Sequence, residues 1–319
     1  MSHSVRHFFR NGGTDAFVVR VARADGGPPT AAEHSGDPEK KTGLHALEGA
    51  DVFNILCLPG VDDARVISEA LAYVAARRAF FILDLPAAVD TPGKAQSWLA
   101  ANPLLRSRDA AAWFPRFRAT DPTSGAVRDF PSSGAVAGIF ARSDAARGVW
   151  KFPPAGDAGI LDAIGVAISL GEADARALQS GGLNTVRSVP SKATVLWGAR
   201  TLHGSDQNPD EYKYVPVRRL ALFLEESIFR GTFWAVFEPN DEPLWKKIRA
   251  SVDAFLHELF VKGAFQGATP RQAYFVKCGR DTMTSDDIDN GRLVIEIGIA
   301  PVRPAEFVII RIGQFGCHP

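Results

Sequence analysis

The chain has few cysteines and no long apolar run. Its three cysteines, Cys57, Cys278 and Cys317, are an odd number at wide spacing, and no two form a C-x-x-C pair. This argues against a zinc ribbon or a redox motif, and it fits synthesis in a reducing cytoplasm with buried free thiols. The first ten residues lack the apolar core of a signal peptide, and no apolar run is long enough to span a bilayer.

The sequence also lacks an excess of charge. Thirty-six basic residues balance 36 acidic ones, so the total charge gives no reason to expect nucleic acid or an anionic membrane as a partner. With 46% hydrophobic residues in 319, the composition is that of an ordinary globular protein. The length suits two domains, or one large domain with a smaller one appended.

The first two thirds of the chain predict an α/β domain. Residues 52–58, 62–78 and 79–85 have the pattern strand, helix, strand, which indicates a βαβ unit and a parallel sheet covered by helices. The other elements predicted here are strands at 16–22, 110–117, 164–168, 186–189 and 194–199, and helices at 3–10, 94–101, 132–142 and 172–179. Residues 25–42 are predicted to be a loop, and the polar residues 206–214 a domain boundary.

Residues 216–313 predict a compact module of helices and strands. One helix is predicted to start near Pro216. A second is predicted to start at Asn240 or Asp241, its cap, and to end at Gly263. The apolar stripe of the second helix is Leu244, Ile248, Val252, Phe255, Leu256 and Leu259. Three extended runs follow, at 274–278, 292–299 and 306–312. The module contains no candidate nucleophile, acid–base pair or ligand cluster.

Motifs for cofactors and metals are missing or incomplete. H-E-L-F at 257–260 begins like a zincin helix, but Val261 stands where the second ligand is needed. Neither glycine-rich phosphate motif occurs. The turn P-G-V-D-D at 59–63 lies where a Rossmann domain would hold a ligand, but its glycine pattern favours a plain strand-to-helix turn. We therefore predict no metal and no cofactor.

Two sets of side chains leave a structural and an interface interpretation open. The aromatic residues are predicted to be mainly core, with one or two at a subunit contact: Phe229, Phe233, Trp234, Phe237 and Trp245. The basic residues are predicted to form a solvated face, with an interface role as the weaker alternative: Arg142, Arg147, Lys151 and Arg187.

The last predicted strand is apolar on both faces apart from Arg311. It consists of Phe307, Val308, Ile309, Ile310, Arg311 and Ile312. An exposed apolar edge of this kind is an aggregation hazard. The strand is therefore either buried in its own chain or used to complete a sheet of another copy.

Several stretches resemble the contractile tail sheath proteins of phage tails, pyocin-like particles and related injection systems. In the last third these are F-W-A-V-F-E-P-N-D-E-P-L-W and D-I-D-N-G-R-L-V-I-E-I-G-I-A-P-V-R-P-A-E-F-V-I-I-R-I-G-Q. Upstream they are F-F-R-N-G-G-T-D-A-F-V-V-R-V, P-S-S-G-A-V-A-G-I-F-A-R and G-L-N-T-V-R-S-V-P-S-K-A-T-V-L-W-G. The resemblance covers nearly the whole chain and is weakest over residues 25–45.

The resemblance implies a fold and a domain division. It implies an α/β parallel-sheet domain, subtilisin-like but non-catalytic, followed by an α+β C-terminal sheath domain. The expected division is 1–45 for an N-terminal strand and loop segment, 46–205 for the subtilisin-like domain, and 206–319 for the C-terminal domain with its terminal strand arm. Family members usually carry an N-terminal arm before the F-F-x-N-G-G segment. This chain begins almost on that segment, so we expect a shortened start or a different link between subunits.

The resemblance also implies the function. We expect a structural subunit, not an enzyme, that assembles in stacked hexameric rings around an inner tail tube protein and contacts baseplate proteins. Contraction of the sheath would drive the tube through a target envelope, with no nucleic acid bound and no membrane insertion. Phe307–Ile312 is the expected strand exchanged between subunits, and Lys246, Arg249 and Asp253 are the expected tube-facing residues. The particle would be assembled from protein made in the bacterial cytoplasm.

The rival hypothesis is a hydrolase built on the subtilisin-like sheet. Asp84 and Ser132–Ser133 stand where two members of a catalytic triad would be, but no histidine lies between His45 and His203. The favoured interpretation is structural: Asp84 caps or turns a strand, and the two serines cap the next helix.

Overall fold

The computed structural model describes residues 2–304 apart from 24, 155, 190–193 and 208–209. The strands are β1 Ile55–Cys57, β2 Phe80–Leu83, β3 Ala110–Phe114, β4 Phe117–Thr120, β5 Val127–Phe130, β6 Ala163–Val166, β7 Asn184–Ser188, β8 Thr194–Trp197, β9 Tyr274–Lys277 and β10 Glu296–Ile299. The helices are α1 Ser2–Arg10, α2 Ala31–Ser35, α3 Ala64–Ala76, α4 Pro92–Ala101, α5 Ser133–Arg147, α6 Glu172–Ser180, α7 Val215–Gly231, α8 Glu242–Val261, α9 Pro270–Ala273 and α10 Ser285–Asp289. The fold is a mixed α/β fold.

The largest sheet has the strand order β1-β2-β3-β7-β8. Its first four strands are parallel, and α3 connects β1 to β2, which confirms the predicted βαβ unit. The strand β8 pairs antiparallel with β7, so the sheet is mixed and not wholly parallel as predicted. Every residue of β2 and β3 is buried, because separate apolar cores cover the two faces of the sheet.

The N-terminal helix α1 packs on α5 through two glycines. A Cβ atom at Gly134 would lie 2.2 Å from the Ser4 carbonyl oxygen, and one at Gly138 would lie 2.3 Å from the Phe8 carbonyl oxygen. Only the absence of a side chain lets the two backbones approach so closely. Asn11 then continues the contact, since its Oδ1 accepts from the Leu161 N–H at 2.8 Å.

The strand predicted at 16–22 is wrong. Those residues form no regular strand and are mostly exposed, and no described strand pairs with them. Valine and phenylalanine favour extended backbone, but a strand also needs a partner with free N–H and C=O groups. The loop predicted at 25–42 is wrong in part, because Thr30 and Glu33 form a capping box that starts α2.

Two further corrections concern strand lengths. The run predicted at 110–117 is split into β3 and β4 at Pro115, which has no N–H for a sheet ladder. The run predicted at 292–299 forms a strand only over β10, which pairs antiparallel with β9. Prediction missed β5 and all of β4 except Phe117, and these two strands together with β6 make a separate three-stranded sheet. The expected strand at 307–312 lies outside the described residues.

The helices α7 and α8 confirm the predicted C-terminal helices. Asp241 is the cap of α8, since its Oδ1 accepts from the Leu244 N–H at 3.2 Å, and Gly263 follows the helix with a φ of 78°. The predicted apolar stripe of α8 is buried, with Phe255 half-buried. Buried ion pairs join α7 to the first domain, from Arg218 to Asp109 at 2.6 Å and from Arg219 to Asp144 at 2.5 Å. No helix in the described ranges is long and apolar enough to cross a membrane.

Candidate functional site

Asp84 and Ser133 are brought together, but in an arrangement that is structural. Asp84 follows β2 directly, and Ser133 is the first residue of α5. The Ser133 N–H donates to Asp84 Oδ1 at 2.9 Å, and Ser133 Oγ donates to Oδ2 at 2.5 Å. Ser132 instead donates to the Trp113 carbonyl oxygen and makes no cap bond to the helix. The carboxylate, not the serines as predicted, caps α5, where the positive end of the helix dipole favours it.

In this arrangement the pair cannot act as the nucleophile and base of a serine hydrolase. The Ser133 hydroxyl donates its hydrogen bond directly to a carboxylate with no imidazole between them, and its side chain is fully buried. Burial raises the pKa of the Asp84 carboxyl, and the two bonds from Ser133 oppose that rise. The cavity next to Asp84 measures only about 10 Å³, which leaves room for one water at most and none for a substrate.

The other candidate ligand positions have structural roles. Asp63, in the turn predicted to be a plain connection, accepts from the Arg65 N–H at 2.9 Å and caps α3. His257 is exposed on α8 next to Phe260. Within the described ranges, no group of three or more histidine, cysteine or acidic side chains is arranged to hold a metal ion.

The four basic residues predicted to form a solvated face do not form one. Arg142 is committed to the fold, since it donates to the carbonyl oxygens of Asn11, Asp157 and Gly159. Arg187 lies 4.9 Å from the Trp197 ring centre and pairs with Glu172. Arg147 and Lys151 instead lie next to each other on one groove.

That groove, which we call the Trp150 groove, has a volume of about 380 Å³. Its apolar wall includes Trp150, Phe152, Leu196, Trp197 and Pro216. Its charged residues are all basic: Arg147, Lys151 and Arg303. Trp150 is more than nine-tenths buried, and its indole N–H has no partner among the described residues.

The predicted tube-facing residues share one face of α8, but they differ in exposure and in their contacts within the chain. Lys246 and Asp253 are exposed. Arg249 is half-buried, where it donates to the Cys278 carbonyl oxygen and pairs with Glu242. Its guanidinium is therefore already used inside the chain.

The aromatic residues predicted to be core are mostly exposed, and this prediction is wrong for four of the five. Trp245 is buried in the core of the C-terminal module. The exposed ones are Phe229, Phe233, Trp234 and Phe237. Residues 233–238, which we call the aromatic loop, connect α7 to α8. An apolar run between Gly231 and Pro239 that is too short for a regular element was the available signal.

Phe237 is the most unusual residue of the aromatic loop. Its side chain is fully exposed, and its backbone has a φ of 71°. A bulky residue rarely adopts this left-handed conformation, because its Cβ crowds the backbone. The fold thus holds an aromatic ring in solvent at a conformational cost.

Two family profiles match most of the chain. A profile for the phage tail sheath protein central domain matches residues 33–202, and one for the phage tail sheath C-terminal domain matches residues 207–315. A putative prophage major tail sheath protein of Pseudomonas aeruginosa is 25% identical over 275 residues, which are 84% of this chain and 67% of that protein. The tail sheath protein of Vibrio phage KVP40 is 25% identical over 181 residues, which are 56% of this chain and 26% of that protein.

Solved structures resemble nearly the whole chain. A chain of the anti-feeding prophage helical sheath in its contracted state is 27% identical with a TM-score of 0.77, over 98% of this chain and 81% of that one. A chain of an extracellular contractile injection system sheath, also contracted, is 28% identical with a TM-score of 0.75, over 98% and 79%. A chain of the six-fold symmetrised anti-feeding prophage baseplate is 27% identical with a TM-score of 0.75, over 98% and 80%.

Proposed function

The chain belongs to the phage tail sheath family, and from that premise we propose that it is a structural subunit of a contractile sheath that surrounds an inner tube. Copies of the chain polymerise around the tube, and contraction of the sheath drives the tube through a target envelope. The observation that carries this proposal is the likeness of 98% of the chain to subunits of contracted sheaths.

The work is done by a change in how the copies contact one another. An extended sheath is a strained lattice, and contraction moves its subunits as rigid bodies into a wider and shorter one. Buried pairs such as Arg218 with Asp109 support this proposal, because they hold the two parts of the subunit together as one body. We propose stacked hexameric rings as the assembly, as the likeness to a six-fold symmetrised baseplate suggests.

Three finer assignments are part of the proposal. The first is a division into 1–45, 46–205 and 206–319, with a subtilisin-like but non-catalytic middle domain. The parallel strands β1, β2, β3 and β7 all lie within residues 46–205, which supports it. Phe307–Ile312 is the strand exchanged between neighbouring copies, supported by its apolar composition on both faces. The exposed Lys246 and Asp253, with Arg249 between them, form the face of α8 that meets the tube.

The hydrolase alternative has no observation in its favour. Ser133 is buried and bound directly to Asp84, and the space next to them admits no substrate. We therefore propose that the chain catalyses no reaction. A serine-reactive probe should leave Ser132 and Ser133 unlabelled, and stoichiometric labelling of either would contradict this.

Negative-stain microscopy of the full chain tests the proposal. Mixed with its tube protein partner, the chain should form rings or tubes of constant diameter. A matched variant that ends at Pro304 lacks the proposed exchanged strand, and it should stay folded by circular dichroism yet fail to form tubes. Monomers of the full chain under every condition would contradict the proposed function.

A further inference from the structure

Two features of the chain have no assigned role in the proposed sheath function, the aromatic loop and the Trp150 groove. We propose that the aromatic loop of one copy inserts into the Trp150 groove of a second copy. This rests on the proposed function, since it assumes that copies of the chain assemble.

The two surfaces match in polarity. The loop presents Phe233, Trp234 and Phe237 to solvent and ends in Glu238. The groove offers an apolar wall that includes Trp150 and Trp197. Aromatic rings buried in such a pocket are the usual energetic centre of a protein–protein contact.

The two surfaces also match in charge. Glu238 makes no ion pair among the described residues, whereas the nearby Glu242 is paired with Arg249. The groove carries Arg147, Lys151 and Arg303 and, among its described lining residues, no acidic one. Arg147 is already paired with Asp157 at 3.5 Å, so Lys151 and Arg303 are the basic partners that remain for a carboxylate arriving with the loop. Complementary charge of this kind favours the correct docking register.

The geometry of α7 requires that loop and groove come from different copies. Pro216, at the start of this 17-residue helix, lines the groove, and the loop follows the last residue, Gly231. At about 1.5 Å per residue, the two ends are about 23 Å apart. The aromatic loop of one chain therefore cannot reach the groove of the same chain, and the proposed contact joins unlike surfaces of successive copies. Contacts of this head-to-tail type build rings or helical arrays, the assemblies that a sheath needs.

The strained backbone of Phe237 fits this role. A left-handed phenylalanine in solvent costs free energy in the isolated chain and brings no packing in return. In the proposed contact the same backbone conformation already points the ring outward for insertion, which reduces the cost of ordering the loop on binding.

Disulfide cross-linking tests which surfaces meet. In a Cys317→Ser background of the full chain, Phe237→Cys and Lys151→Cys are combined, and the chain is assembled with its tube partner and oxidised. We expect a ladder of dimers, trimers and longer products, because a head-to-tail contact propagates. The matched control carries Phe237→Cys with Leu104→Cys, a position that is 85% exposed and outside the groove, and should give no ladder.

A charge reversal at the same contact gives an independent readout. Lys151→Glu and Glu238→Lys should each raise the concentration for half-assembly at least about tenfold, because each places like charges together. The double variant should restore assembly to near the wild-type value.

Tubes that form normally in both single variants, or cross-links confined to single chains while tubes are visible, would overturn the inference and leave the sheath function standing. A wild-type chain that never assembles would overturn both. A full chain that forms tubes without the ladder would mean that another segment occupies the groove, and this also overturns the inference.

Discussion

Asp84 shows how a residue that suggests catalysis can be a structural cap. A carboxylate at the end of a strand and a serine at the start of a helix are the parts of a protease, but here they bind each other directly. The difference from a protease is that no imidazole lies between them, so the Ser133 hydroxyl donates its hydrogen bond directly to the carboxylate. The pair thereby fixes α5 on the sheet.

We predict that Asp84→Ala lowers the free energy of unfolding by about 2–4 kcal/mol, because it removes the cap of α5 and leaves two buried donors of Ser133 unpaired. Urea unfolding followed by circular dichroism measures the change. Ser133→Ala in the same background should recover part of the loss, since it removes one of those donors. Asp90→Ala, which breaks only the exposed pair with Lys94, is the control and should cost well under about 1 kcal/mol. Equal losses in the two aspartate variants would refute the capping role.

His7 gives the fold a dependence on pH. Its ring packs on Phe117 and Phe130, and its Nδ1 has no partner among the described residues. Burial is the main cause that lowers the pKa of His7 below its usual value of 6.5, and Arg6 and His3 add to this while Asp162 opposes it. The unfolded chain therefore binds a proton more readily than the folded one, so stability is complete above pH 6.5 and decreases as the pH falls below it.

The prediction for His7 is a slope in stability of up to about 1.4 kcal/mol per pH unit below pH 6.5, measured by urea unfolding between pH 5 and 7. His7→Phe keeps an aromatic ring in place and should remove that part of the slope. His257→Phe, on the exposed face of α8, is the matched control and should leave the slope unchanged. A slope that persists in His7→Phe would assign it to other groups.

At the scale of elements, the glycines of α5 allow the backbone of α1 to approach it closely. Glycine lowers helix propensity, and alone it would argue that alanine improves the helix. Gly138, however, lies under the backbone of α1, where an added Cβ would be 2.3 Å from a carbonyl oxygen that cannot move alone. The packing of α1 on α5 therefore depends on a residue that weakens α5 itself.

Gly138→Ala should destabilise the protein by about 1–3 kcal/mol in spite of the gain in helix propensity, because it pushes α1 away from α5. Hydrogen exchange should show the loss of protection concentrated in residues 2–10. Gly93→Ala in α4 is the matched control, because an added Cβ there meets no atom within 4 Å, and it should be neutral or stabilising by up to about 1 kcal/mol. A stabilised Gly138→Ala protein would show that α1 is not held in this way.

At the scale of the whole molecule, α8 allows the proposed tube contact to be tested with neighbouring lysines. Lys246 and Lys247 are both exposed, but consecutive helical residues point about 100° apart. Lys246→Glu should therefore weaken co-sedimentation with the tube protein, and Lys247→Glu should have a much smaller effect. Both variants should keep the wild-type unfolding transition. Equal binding in the two would remove α8 from the tube contact.

The sequence by itself determined the local elements and the family. The periodicity of α3 and α8, the cap at Asp241 and the apolar run of β2 are local signals, and each predicted its element. The resemblance to sheath proteins rested on long contiguous motifs, and the family profiles cover all of these stretches except the one at 8–21.

Only the tertiary structure decided which residues are exposed and which groups meet. Residues 16–22 have the composition of a strand but no described partner, and the antiparallel pairing of β8 is set by contacts far along the chain. The aromatic loop has the composition of a core, yet its rings lie in solvent, because burial depends on what packs against a residue and not on its own polarity. For the same reason the Trp150 groove, assembled from residues near 150, 197, 216 and 303, has no signature in the sequence.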